Sequence, residues 1–144
     1  MKALTLWQPM AHAVVHLGKT VENRPHVSPW KTATNTTVAI HAARRSAWNQ
    51  DYADLVAVIT GRRLTPADVQ FSAVIGTAIV TDVHWATTPS MLTDECCDPW
   101  GFDSGAHVIL DAVRACRPIP IGGALGLWTV PAGVELELTE AVRR

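Results

Sequence analysis

Apolar and polar positions alternate from Lys2 to Leu6, the pattern of a short strand. Past Pro9 the period changes: Met10, Ala13, Val14 and Leu17 fall at i, i+3, i+4 and i+7, one apolar face of a helix about two turns long. Pro9 suits its first position, where a missing N–H costs nothing, and Gly18 its end. Residues 25–35, with two prolines, read as a loop, and residues 36–41, rich in β-branched side chains, as a strand. Ser46 is the expected cap of a helix through Tyr52, Leu55, Val56 and Ile59, ended by Gly61. A second cap and a short helical turn follow at residues 65–68. Residues 73–83 give the clearest strand, with Gly76 marking a bulge or bend inside it. Residues 86–105, rich in Thr, Pro, Asp and Gly, read as the longest loop. Residues 107–110, 113–116 and 125–130 read as short strands, and 134–138 as an alternating edge strand. Short strands bent by glycine, with two or three helices, predict an α+β fold: a small β-barrel with the helices packed around it.

The 144 residues are 48% hydrophobic and 17% charged, which is the balance of a folded chain with one core. One domain over residues 1–144 is expected. No apolar run approaches the ~18 residues that span a bilayer, and the opening reaches Gln8-Pro9 too soon for a signal-peptide core. A cytoplasmic protein without a membrane partner is therefore expected. Twelve Lys and Arg against 13 Asp and Glu argue against a partner of long duplex DNA, which is held by neutralising many phosphates. A single nucleotide or a short single strand needs only stacking and a few placed charges. The three cysteines, two of them adjacent at 96 and 97, form no disulfide framework and lack the usual zinc-finger spacing. They read as reduced thiols. His12 and His16 lie four apart on the polar helix face with no glutamate between them and no third ligand, and read as surface residues. No metal and no cofactor are expected.

The densest chemistry lies in Lys19-Thr20-Val21-Glu22-Asn23-Arg24. In extended chain, Thr20, Glu22 and Arg24 share one face while Val21 turns to the other. Arg24 can grip a phosphate or a carbonyl edge with its planar fork. Glu22 can orient Arg24 or move a proton, and a desolvated Lys19 can act as a base. The same residues can equally be a solvated strand with an ordinary surface ion pair.

Lys19, Glu22 and Arg24 form a Lys-x-x-Glu-x-Arg pattern that resembles the signature of the ASCH domain, a branch of the PUA-like superfamily. Three further blocks fall in the same order as in that family: Leu4-Thr5-Leu6-Trp7-Gln8-Pro9, Ala39-Ile40-His41-Ala42, and Gly123-Ala124-Leu125-Gly126-Leu127-Trp128. The resemblance implies a PUA-like β-barrel that binds single-stranded RNA or a modified nucleoside in a cleft lined by the motif. Activities in the family imply metal-independent hydrolysis, either cleavage of single-stranded RNA or removal of an acyl group from N4-acylcytidine. Lys19, Glu22 and Thr20 are then the catalytic candidates. Arg24, Trp7, Gln8, His41 and Ser104 are the candidates for holding the base or nucleic acid. Glu22 stands where such amide hydrolases carry a threonine, which favours recognition over that chemistry. A non-catalytic protein-interaction module of coactivator type is the alternative. Trp7 and Trp128 fit either a stacking surface or a core, and His41 either a buried hydrogen-bonded role or an acid–base one. Arg44-Arg45 and Arg62-Arg63 fit a solvated surface or a guide for a phosphate backbone.

Overall fold

The N-terminal alternation becomes strand β1 (Lys2–Leu6), and the 3.6-residue period after it becomes helix α1 (Met10–His16), in a computed structural model that describes residues 1–86 and 97–143. β2 (Val21–Arg24), β3 (Thr36–Ala42), α2 (Gln50–Thr60), β4 (Ala73–Trp85), β5 (Ala106–Pro120), β6 (Leu127–Thr129) and α3 (Ala132–Arg143) follow. Short 3-10 turns lie at Trp30–Ala33, Arg45–Ala47 and Pro66–Asp68. The strands form one six-stranded sheet in the order β2-β5-β4-β3-β1-β6, with β1 and β3 parallel and every other pair antiparallel. This is an α+β half-barrel: the sheet curls without pairing β2 to β6.

Bulges supply the curl. Register shifts in the β4–β5 ladder fall between Val74 and Gly76, Thr77 and Ile79, and Val80 and Asp82. Each extra residue adds local twist. Gly76 is required at the first: a Cβ there would stand 2.6 Å from the Arg114 carbonyl oxygen.

Strand alternation sorts the core into layers. Leu4, Leu6, Val38, Ile40, Val80, Val83, Val108 and Leu110 fill the main core. Ala3, Ala39 and Val74 point to the opposite face, where α3 covers them with Leu138. Thr5 and His41 continue that face as register partners. A third cluster, Met10, Ala13, Val21, Val56, Leu64 and Trp100, ties α1 and α2 to the sheet.

Four expectations need correction. The expected edge strand 134–138 lies in α3: Val134, Leu138 and Val142 recur at helical spacing against the sheet, while Leu136 is exposed. Val-Glu-Leu-Glu-Leu satisfies both periods, and helix-favouring residues decide it. The expected strands 107–110 and 113–116 are one strand, β5, kinked rather than broken at Ala112, whose φ is +47°. The cap of α2 is Asn49, whose side chain accepts from the Tyr52 amide, not Ser46, which lies in the preceding 3-10 turn. Pro9 stands just before α1 rather than at its first position. Of the expected loop 86–105, residues 87–96 lie outside the described residues. Among the described residues no helix is long and apolar enough to cross a membrane.

Candidate functional site

Gly18, at φ +73°, turns the chain out of α1 and sends Lys19 back under it. Lys19 is 1% exposed. Its ammonium donates to the Val21 carbonyl and, at 2.9 Å, to Glu22 Oε2. The other carboxylate oxygen, Oε1, stands 3.4 Å from Arg24 Nε, an ion pair whose hydrogen bond is not aligned. Glu22 therefore bridges the two cations. Arg24 Nη2 donates to the Thr5 carbonyl at 3.1 Å, and the guanidinium carbon lies 4.4 Å from the centre of the Trp30 ring. β2 pairs Glu22 with Val108 and Arg24 with Ala106, so both side chains share the face that carries the main core. Val21 faces the α1–α2 layer instead. Thr20, just before the strand, is exposed and joins none of these contacts.

Arg24 reaches β1 across the open edge of the half-barrel. There it lines a hollow of about 200 Å³ with Thr5, Trp7, Tyr52, Ala124, Leu125 and Gly126. A larger hollow of about 560 Å³ adjoins it, sharing Thr5, Trp7, Ala124 and Leu125 and adding His41, Arg44, Trp48 and Gly122-Gly123. That size suits a small-molecule site. Trp7 is 53% exposed at the junction, with its ring centre 6.5 Å from that of Tyr52. The backbone amides of Gly122, Gly123 and Ala124 bond to no other backbone group among the described residues.

The floor of the larger hollow is a polar chain whose proton positions follow from its ends. The Ile121 carbonyl can only accept, so His41 Nε2–H donates to it at 2.9 Å. His41 Nδ1 then carries a lone pair and takes the Thr5 hydroxyl proton, at 3.2 Å. Thr5 Oγ1 in turn accepts from the Trp128 indole N–H at 2.9 Å. Burial pushes His41 below the ordinary 6.5 of a histidine, against a smaller opposing effect of the Ile121 carbonyl. The ring is neutral at pH 7. Gly123 closes over it: a Cβ at residue 123 would meet His41 Cε1 at 2.4 Å and Thr5 Oγ1 at 2.7 Å.

Of the residues singled out from the sequence, Arg24, Trp7 and His41 line the hollows. Lys19 and Glu22 stand behind Arg24 and hold it. Gln8 is fully buried. Its side chain donates to the Gln70 carbonyl and accepts from the His12 amide, which pins α1 to the chain before β4. Ser104 is exposed and lines neither hollow. Arg44 lines the larger hollow, whereas Arg45 lies over Phe71, 5.4 Å from the ring centre. Sequence reasoning missed Thr5, Trp48, Tyr52 and the Gly122–Ala124 amides. Thr5 was legible only through its register with His41, and Tyr52 read as an ordinary apolar helix position.

The arrangement can grip an anionic or carbonyl edge with Arg24, stack a flat ring on Trp7 or Tyr52, and donate from the amides after Ile121. No protein-family model matches the sequence, and neither does any curated protein. Among solved structures the chain is similar to the ASCH protein of Zymomonas mobilis, with a TM-score of 0.57 and 17% identity over 96% of this chain and 93% of that one. A tyrosine-to-phenylalanine variant of that protein gives 0.57 and 17% over 96% of each chain. A serine-to-alanine variant gives 0.56 and 17% over 96% and 94%. At that identity the likeness is one of fold, and it agrees with the motif resemblance: this chain carries the ASCH fold.

Proposed function

We propose that the cleft at the open edge of the half-barrel binds RNA or a modified nucleobase. The observation that carries this reading is Arg24. Glu22 and Trp30 hold it from behind, and its guanidinium lines the same hollow as Trp7 and Tyr52. Among the described residues one of its five N–H donors is committed, to the Thr5 carbonyl, and Nε stands misaligned against Glu22. A positioned guanidinium beside an exposed indole and a phenol ring matches what an unstacked base requires: a face to stack on and a donor fork for a phosphate or carbonyl oxygen. The fold likeness and the motif order support the same ligand class.

The test is fluorescence anisotropy with short single-stranded RNA, and calorimetry with free and N4-acylated cytidine. Arg24→Ala and Trp7→Ala should each weaken binding at least about tenfold, since a stacked base is worth about 1–3 kcal/mol. Trp7 is half-exposed, whereas Arg24 is only 19% exposed, so circular dichroism must confirm that each variant folds. Unchanged affinity in both folded variants would sink the reading.

Hydrolysis is a second reading, and one observation favours it. The Thr5 hydroxyl donates to a neutral His41 at the floor of the cleft, the arrangement of a nucleophile and its base. Lys19 and Thr20 favour it less: the amine is buried and engaged, and the hydroxyl is exposed away from the hollows. Mass-spectrometric screening of RNA and N4-acylcytidine, without added metal, decides it. Turnover that persists in Thr5→Val would assign the chemistry elsewhere.

A further inference from the structure

A second polar cluster lies on β4 and β5, and the cleft chemistry does not use it. His84 on β4 and His107 on β5 are register partners, with ring centres 5.4 Å apart. Cys97 comes from the turn that precedes β5, and its Sγ lies 3.4 Å from His84 Nε2. One ligating atom from each of the three residues lies within 4.8 Å of the others.

The hydrogen bonds around the cluster fix which atoms face it. His84 Nδ1 is 2.7 Å from Asp82 Oδ2, so Nδ1–H donates to the carboxylate and Nε2 keeps a lone pair. His107 Nε2 is 2.7 Å from the Phe102 carbonyl, so Nε2–H donates there and Nδ1 keeps a lone pair. His107 is only 5% exposed, and its Nδ1 has no hydrogen-bond partner among the described residues. A buried polar atom left unpaired costs free energy and calls for an explanation. A thiol proton shared between Cys97 and His84 accounts for two of the three groups and leaves His107 Nδ1 orphaned. A cation between them satisfies all three.

We propose that His84 Nε2, His107 Nδ1 and Cys97 Sγ form a binding site for a divalent transition-metal ion, zinc being the ion that this donor set favours. Two imidazoles and a thiolate are borderline-to-soft ligands that do not suit magnesium or calcium. Zinc–nitrogen and zinc–sulfur bonds of about 2.0–2.1 and 2.3 Å set tetrahedral donors about 3.3–3.6 Å apart. The Cys97–His84 separation already fits, and a shift of about 1 Å or a little more gathers the third. Each imidazole has an outer acceptor on its far nitrogen, Asp82 for one and the Phe102 carbonyl for the other, as metal-bound histidines require. His84 is the most exposed of the three, and water on that side completes the fourth position.

The ion fastens a turn. The amides of Trp100 and Gly101 both donate to the Cys97 carbonyl, at 3.0 and 2.6 Å. Gly101 lies so close that a Cβ would stand 2.6 Å from Cys97 Cβ and 2.8 Å from His107 Cε1. Asn23 of β2 then clamps the turn, donating to the Trp100 carbonyl and accepting from the Phe102 amide. A metal at Cys97 and His107 therefore holds a turn that is bonded to the strand carrying Glu22 and Arg24. The proposal stands apart from the nucleobase reading, because neither its residues nor its test involves the cleft.

The test begins with the full chain stripped by chelator, kept reduced, and titrated with Zn²⁺ in a competition assay. Elemental analysis follows after gel filtration. One equivalent per chain is expected, and Co²⁺ should give a thiolate charge-transfer band with the intense visible bands of a four-coordinate ion. Cys97→Ser should abolish the charge-transfer band. Asp82→Asn, exposed and outside the inner set, should weaken zinc about 10–100-fold. His84→Ala, at the more exposed position, keeps the test valid if Cys97→Ser fails to fold. His12→Ala should change nothing, which separates this site from the His12–His16 pair. Absence of zinc binding in the folded wild-type chain, or a charge-transfer band and affinity unchanged in Cys97→Ser and His84→Ala, would overturn the proposal.

Discussion

His41 and His107 are both buried histidines on neighbouring parts of one sheet, yet their surroundings differ in one respect that decides what each can do. His41 has both ring nitrogens engaged: Ile121 accepts from one, and Thr5 donates to the other, backed by Trp128. Its polar chain is complete within the fold. His107 has one nitrogen engaged and one orphaned, beside a thiol and a second imidazole. The first arrangement specifies the packing of β1 on β3 and of the loop that carries Ile121 and Gly123. The second leaves a lone pair for something the described residues do not supply. The Lys19–Glu22 pair belongs with His41, because its buried ammonium has acceptors on two sides.

Breaking a completed cluster should therefore cost stability, and emptying the incomplete one should cost little. The largest effect is expected for Glu22→Ala. It leaves the Lys19 ammonium buried with only a backbone carbonyl, and breaking one partner of a buried ion pair costs about 3–5 kcal/mol. Urea unfolding measures it, and a loss under about 1 kcal/mol would mean that Lys19 escapes to solvent. The next contrast is His41→Leu against His107→Leu, both in chelator. The first strands the Thr5 hydroxyl and the Ile121 carbonyl, at about 1–3 kcal/mol. The second removes an orphaned nitrogen along with one hydrogen bond, and should cost less than about 1 kcal/mol. Equal losses would erase the distinction between the two sites.

The same distinction explains what the sequence made legible. β1, α1, the Gly61 stop and the Gly76 bend follow from local period and from residues with narrow backbone choices, and all four are present, with α1 starting one residue later than the pattern placed it. Glu22 and Arg24 were placed on one face by alternation, and they share it. Alternation could not say that this face is the core side, so Lys19 and Glu22 were read as cleft-lining groups when they back Arg24 instead. Gln8 looked like a binding amide because its two buried partners, Gln70 and the His12 amide, are set by tertiary packing. The His84–Cys97–His107 cluster had no signature at all. Its ligands are brought together by the β4–β5 register and a tight turn, at sequence separations of 13 and 10 that match no metal motif.

The smallest effect is the most direct probe of the completed chain, and it is a pH dependence. Burial holds His41 below 6.5 in the folded protein, whereas the unfolded chain titrates near that ordinary value. Between the two, the unfolded state binds a proton that the folded state refuses, so stability rises with pH. The contribution is complete above about pH 6.5 and is lost as pH falls through the depressed folded value. Burial and the neighbouring His16 also lower His12, which acts in the same direction, but that term is common to wild type and variant and cancels in their difference. Asp82 and Asp68 are held below 3.8 and act only at lower pH. Urea midpoints from about pH 7.5 to about pH 5, in chelator, should therefore fall more steeply for wild type than for His41→Leu. Equal slopes would mean that folded His41 accepts the proton, with the Thr5 hydroxyl rotating to take it as a hydrogen bond. The cluster at the cleft floor would then be as open as the one at His107.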